Sequence, residues 1–189
     1  MKNTTLHIKN MVCLRCIVAV REALKRIGVE VQHVELGYAE IGDSSHLDMH
    51  LIEETLKALG FELIHDKEKV LVEEIKVKIK EHLQYLDKTQ ATEPLSLFLS
   101  KSLGKNYGYL SNRFSKLESR TIEKYMVLLK IERVKELLDY GELTLSEIAT
   151  KLGYSSVHYL SAQFKKVTGV SVTHYKKNLT PKRKFLDDL

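Results

Sequence analysis

Both cysteines of the chain fall in one stretch, Asn10-Met11-Val12-Cys13-Leu14-Arg15-Cys16. A C-x-x-C spacing brings two thiols within reach of one soft cation or of each other. Three readings are therefore open: a metal clasp, a dithiol redox pair, or two thiols with no shared task. Arg15 lowers neighbouring thiol pKa values by its charge, and the same charge repels an incoming cation. His46 and His50 stand at i and i+4, a spacing that puts two imidazoles on one helical face. They open a later helix at the far end of the domain from the thiols, so they are expected as surface residues. His7 and His33 lie in alternating segments and read as ordinary strand residues. No phosphate loop, paired-carboxylate site or nucleophile with its base is present, so no enzyme is expected.

The elements that must position these groups fit two domains in 189 residues. With 43% hydrophobic and 29% charged residues, cores can form without covalent staples. No apolar run approaches the ~18 residues of a membrane span, and the start "MKNTTLHIKN" lacks a secretory core. A cytoplasmic address with no membrane partner follows, where thiols stay reduced or metal-bound. The net charge of +5 is uneven: residues 1–66 hold 7 Lys/Arg against 10 Asp/Glu, and residues 67–189 hold 23 against 15. Only the back half is expected to meet a polyanion.

In the front, "TTLHIK" alternates as a strand with Leu6 and Ile8 on one face. Ile17, Val18, Val20, Leu24 and Ile27 recur at helical spacing up to Gly28. "VEVQHVEL" and "YAEIG" form a hairpin, and a helix follows with Ser44 or Ser45 as N-cap and Leu47, Leu51, Leu56 and Leu59 on its apolar face. "FELIH" closes the domain. This βαββαβ order over residues 1–65 predicts a ferredoxin-like α+β sandwich. The Met-x-Cys-x-x-Cys turn, "EVQHVELGYAEI" and "LKALGFEL" together resemble the heavy-metal-associated (HMA) domain of copper chaperones and metal-transporting ATPases. That resemblance implies Cys13 and Cys16 as ligands of a soft ion such as Cu(I), with Met11 as a buried support. Asn10 stands where that family carries Gly.

Residues 66–89 lack Gly and Pro and carry an apolar stripe of Val72, Ile75, Ile79 and Leu86 edged by Leu71 and Leu83. A connecting helix is predicted, too short in its heptads for a coiled coil. Beyond it the chain repeats. "NYGYLSNRF" (106–114) and "SVHYLSAQF" (156–164) share Tyr, Leu, Ser and Phe in one frame, and "PLSLFLSKSLG" parallels "TLSEIATKLG" upstream. Each copy reads as a helix-turn-helix. Asn106, Ser156 and the Thr144/Glu147 capping box start helices, and Thr121 to Tyr140 forms a long helix between the copies. Leu110, Phe114, Leu117, Leu160, Phe164 and Val167 are expected inside; Tyr109 and Tyr159 are expected between helices.

Residues 90–178 are thus predicted as an all-α domain with two helix-turn-helix units, followed by a tail, 179–189. "YMVLLKIERVKELL", "LSEIATKLGY", "SVHYLSAQFKKVTG" and Tyr175 resemble the DNA-binding domain of the AraC/XylS family of bacterial transcription regulators. The resemblance implies double-stranded promoter or operator DNA as partner. It leaves RNA polymerase and a second copy of the chain open. Matching positions make Tyr107, Ser111, Asn112, Val157, His158 and Ser161 base-reading candidates. Lys105, Arg113, Lys165 and Lys166 are the phosphate-contact candidates. Asn112 and Ala162 replace the family's Arg, Val172 its Pro, and Lys176 its Arg. The function expected is a DNA-binding regulator with a soft-metal sensor in front. A metal carrier with a docking back half, or a regulator whose front domain serves dimerisation or protein contact, stand as alternatives.

Overall fold

The computed structural model describes residues 4–43, 47–89 and 93–178. The chain divides into two compact units, Met1–Val77 and Lys78–Leu189. The first opens with β1 (Thr4–Lys9), α1 (Leu14–Arg26), β2 (Val31–Glu35) and β3 (Tyr38–Ile41). It continues with α2 (Met49–Lys57), β4 (Glu62–Ile64) and the start of α3 (Lys67–Thr89). The four strands form an antiparallel sheet in the order β2-β3-β1-β4. Leu6 sits opposite Ala39 and Ile8 opposite Leu63, so the alternation of β1 delivers one buried row at the sheet centre. Val20 and Leu24 of α1 and Ile52 and Leu56 of α2 complete that core. Gly37 turns the β2–β3 hairpin at φ 92°, and an added Cβ would stand 3.3 Å from the Val77 methyl. Both the angle and the space favour glycine there.

Three expectations for this unit change. Val18 is exposed, since α1 buries Val20, Ala23 and Leu24 instead. The carboxylate of Asp48 caps α2, accepting from the His50 and Leu51 N–H groups, so the helix starts at Met49. With that start Ile52 and Leu56 face inward, while Leu51 and Leu59 stay exposed and Leu47 packs at the core's edge. Ser44, Ser45 and His46 lie outside the described residues. The long helix α3 forms as its stripe predicts: Leu71, Val72, Ile75, Ile79 and Leu86 are buried. Asp66 caps it through the Glu68 and Lys69 N–H groups.

Among the described residues, every element of the second unit after α3 is a helix. It contains α4 (Leu95–Leu103), α5 (Tyr107–Glu118), α6 (Ile122–Tyr140), α7 (Leu145–Lys151), α8 (Val157–Thr168) and α9 (Val172–Asn178). The helix α6 runs through the middle, packing against α5 and against both α7 and α8. Ile131, Val134, Leu137 and Leu138 of α6 share a core with Ile148, Leu152, Leu160, Phe164 and Tyr175. Leu117 and Val167 are exposed rather than internal, because two apolar turns of α5 and of α8 already fill the contact. The helix α9 was not foreseen as an element. It copies the start of α6: Phe114 meets Tyr125 at 5.6 Å between ring centroids, and Phe164 meets Tyr175 at 5.5 Å, each pair fifty residues from the other. The repeat therefore extends from one helix-turn-helix into the first turn of the next helix. Among the described residues no helix is long and apolar enough to cross a membrane. The tail, 179–189, lies outside the described residues.

Candidate thiol site and nucleic-acid interface

The thiols sit where β1 hands the chain to α1. Asn10 adopts a left-handed φ of 73°, a conformation that Asn tolerates better than most residues after Gly. Its Nδ2 donates to the Gly60 carbonyl at 2.9 Å, which fixes the turn to the α2–β4 junction. Asn10 thereby does the conformational work of a glycine at this place. Met11 is buried in the sandwich core and anchors the other side of the turn. Cys13 is the N-cap of α1, one residue ahead of the first helical turn, and the Cys16 N–H donates to its carbonyl at 3.0 Å.

The sulfurs are 3.6 Å apart, with Cys13 exposed and Cys16 half-buried. Burial pushes the Cys13 thiol up, but hydrogen bonds from the Cys16 backbone and thiol, with Arg15, outweigh it and hold Cys13 below the usual thiol range. Two metal–sulfur bonds of about 2.3 Å at a tetrahedral angle span about 3.8 Å. The pair fits one soft cation without rearrangement at that angle; a linear site needs the sulfurs about 1 Å further apart. Of the histidines, His50 is exposed on α2 and His33 faces Glu35 at 3.0 Å. Among the described residues no group of three or more His, Cys, Asp or Glu is gathered for a metal ion.

In the second unit the two predicted reading helices, α5 and α8, are each capped as expected. The Asn106 side chain accepts from the Gly108 N–H at 2.8 Å, and the Ser156 hydroxyl accepts from the Tyr159 N–H at 3.1 Å. The Thr144/Glu147 capping box starts α7, with the Thr144 N–H and hydroxyl both 2.7 Å from the Glu147 carboxylate. Tyr107, Ser111 and Asn112 come together, lining a shallow concavity with Gly108, Ser115 and Lys116. The Tyr107 hydroxyl donates to the Glu123 carboxylate of α6. Burial and that carboxylate raise the Tyr107 phenol, while the same bond lowers Glu123. In the other copy His158 is exposed, and Val157 and Ser161 are half-buried. Lys105, Lys165 and Lys166 are exposed and Arg113 is partly so.

Tyr109 and Tyr159 do not pack between helices; they are 46% and 55% exposed. Lys105 Nζ lies 6.0 Å and the Arg113 guanidinium 5.4 Å from the Tyr109 ring centroid. Tyr159 meets Tyr154 at 6.1 Å, and Lys130 Nζ lies 5.0 Å over the Tyr154 ring. Burial lowers Lys130 and raises Tyr154, whose hydroxyl is buried without a hydrogen-bond partner. Both exposed tyrosines sit at the third residue of their helices, where the buried face has not yet begun.

Two helix-turn-helix units on one shared helix decide the comparison with known proteins. The family of helix-turn-helix domains matches residues 99–178. Residues 99–178 carry a helix-turn-helix domain. The chain is similar to the C-terminal domain of AraT, a response regulator from Geobacillus stearothermophilus, at 26% identity and a TM-score of 0.50, over 59% of this chain and 88% of that one. A DNA-binding transcriptional dual regulator from Escherichia coli K-12 aligns at 16% identity and TM-score 0.46, over 55% of this chain and 89% of that one. The transcriptional regulator CdpR from Pseudomonas aeruginosa aligns at 17% and 0.44, over 84% of this chain and 51% of that one. No curated protein matches the chain.

Within the helix-turn-helix domain, the departure at Val172 has a simple account. Val172 is the first residue of α9, after Ser171 whose hydroxyl caps His174. Proline is favoured at such a first position because its missing N–H is not needed there and its φ is already helical; Val172 forgoes that fixed φ and buries its side chain instead. Glu123 and the Tyr109 cation cluster escaped sequence reasoning. The fifty-residue spacing of Phe114–Tyr125 and Phe164–Tyr175 would have exposed α9 and drawn the start of α6 into the site.

Proposed function

We propose that the chain is a sequence-specific, double-stranded-DNA-binding transcription regulator of the AraC/XylS type rather than an enzyme. The observation that carries this reading is the doubled unit: two capped helices, α5 and α8, each backed on α6 with a polar, partly cationic face outward. Held on one helix, such a pair serves successive major-groove segments about one turn, ~34 Å, apart. Tyr107, Ser111, Asn112, Val157, His158 and Ser161 are its base readers, and Lys105, Arg113, Lys165 and Lys166 its phosphate contacts. The test is a salt titration of affinity for genomic fragments. Retained fragments and a steep salt dependence support the reading; a flat dependence with no fragment preferred ends it.

The strand order β2-β3-β1-β4 with two helices in βαββαβ sequence supports a ferredoxin-like, HMA-type front unit. Cys13 and Cys16 would hold a soft ion such as Cu(I), which supplies a ligand-dependent signal, with Met11 and Asn10 shaping the turn. Metal regulates only if it binds the two DNA-binding states with different affinity. Competition for Cu(I) by wild type and the Cys13→Ser/Cys16→Ser variant tests the site, and DNA binding with and without Cu(I) tests the coupling. Equal Cu(I) affinities would remove metal from the function. One observation favours a second reading: Leu14 and Val18, 77% and 58% exposed beside the thiols, suit a front unit that contacts protein.

A further inference from the structure

The two copies of the repeat use the same exposed tyrosine differently. On α5, Tyr109 and Arg113 stand four residues apart with Lys116 one turn on, and Lys105 lies in the turn just before the N-cap Asn106. At 100° per residue the three helical residues lie within about 35° of their mean direction. That ridge runs between the buried side of α5, Leu110 and Phe114, and the concavity of Ser111, Asn112 and Ser115. The Lys105 ammonium and the Arg113 guanidinium both lie within about 6 Å of the Tyr109 ring centroid, the range in which a ring face attracts a cation. Fifty residues on, Ser155 and Gln163 replace the two cations. There the ring faces Tyr154, and Gln163 Nε2 donates to the Tyr159 hydroxyl at 3.5 Å.

We infer that Tyr109 is a positioning platform that holds Lys105 and Arg113 along the phosphodiester backbone beside α5, so that the first helix-turn-helix carries a pre-ordered backbone anchor that the second copy lacks. The inference rests on the DNA-binding reading and assigns within it a residue that touches no base. Lys and Arg side chains lose much rotamer freedom when they grip a phosphate. A ring that already confines them reduces that loss at the moment of binding. The effect is independent of base sequence, because phosphates carry none. In the second copy the cations, Lys165 and Lys166, lie at the end of α8 away from Tyr159 by more than a turn, and the ring has no charge to arrange.

The test uses the full chain and a labelled mixed-sequence duplex, with affinity measured over a range of KCl concentrations. Tyr109→Leu is expected to weaken binding about 2- to 5-fold at low salt, equally for all sequences, as an exposed cation–π contact would. Tyr109→Phe keeps the ring and should bind as wild type, and Tyr159→Leu should leave the salt slope unchanged. Lys105→Gln/Arg113→Gln should flatten the slope by about two. Adding Tyr109→Leu to that pair should weaken binding no further. An unchanged affinity for Tyr109→Leu, a weak Tyr109→Phe, or a further loss in the doubly neutralised chain would overturn the inference. Failure of the wild type to bind any duplex would instead overturn the DNA-binding reading beneath it.

Discussion

On the proposed function Glu123 joins stability to recognition, because its carboxylate holds Tyr107, the first residue of α5, from the first turn of α6. Consider Glu123→Gln. A hydrogen bond to a charged acceptor contributes about 1.5–3 kcal/mol when buried. Both partners here reach solvent and the Gln amide oxygen still accepts a weaker, neutral bond from Tyr107, so the loss falls below that range, at about 1 kcal/mol. Loss of a carboxylate from the first turn of α6 adds about 0.3–1 kcal/mol through the helix dipole. The sum, about 1–2 kcal/mol, lowers the melting temperature of a unit near 100 residues by about 4–8 °C per kcal/mol at most.

The pH dependence fixes the cause. The Tyr107 hydroxyl lowers the folded-state pKa of Glu123 from 4.5, so its contribution is complete above that value and disappears as pH falls through the lower, folded one. The difference between wild type and Glu123→Gln in urea unfolding should therefore be full at pH 7 and shrink below about pH 4.5. In DNA binding two effects compete. Removing an anion raises affinity for every sequence, whereas a weaker hold on Tyr107 blurs the distinction between sequences. The measurement that separates them is the ratio of affinities for a retained and a rejected fragment, expected to fall in the variant. A stability difference that persists unchanged into acid, or a ratio equal to wild type, would refute the reasoning.

Three further outcomes follow from the helical unit. Lys135→Met leaves the buried Glu132 without the ammonium now 2.6 Å away and should cost about 3–5 kcal/mol in urea unfolding, most of it recovered by adding Glu132→Leu. Ser119 ends α5 at a φ of 54°, where the second copy has Gly169, so Ser119→Gly should stabilise by about 0.5–1 kcal/mol, read as a higher melting temperature. Tyr175→Phe removes hydroxyl bonds to Asp139 at 3.1 and 3.3 Å; about 1 kcal/mol should be lost, with faster amide exchange in α9 as the local signature.

The sequence alone determined the elements whose signals are local. Alternation set β1, the Thr144/Glu147 box set the start of α7, and Asn106 and Ser156 set α5 and α8, because caps and periodicity act over four residues or fewer. The internal repeat likewise announced two helix-turn-helix units before any coordinate. What lay beyond it was decided by contacts between distant segments. Asp48 and not a serine caps α2, since the inward rows of Ile52 and Leu56 select the helix start. Whether Leu117, Val167, Tyr109 and Tyr159 face in or out depended on how much surface α6 had left to cover. Asn10 tolerates the left-handed turn by its own side-chain chemistry, and Gly60, fifty residues away, fixes it there by offering its carbonyl. Glu123 entered the site through the folding of α6 against α5. Periodicity names the face of a helix; only the neighbour that covers it determines where that face ends.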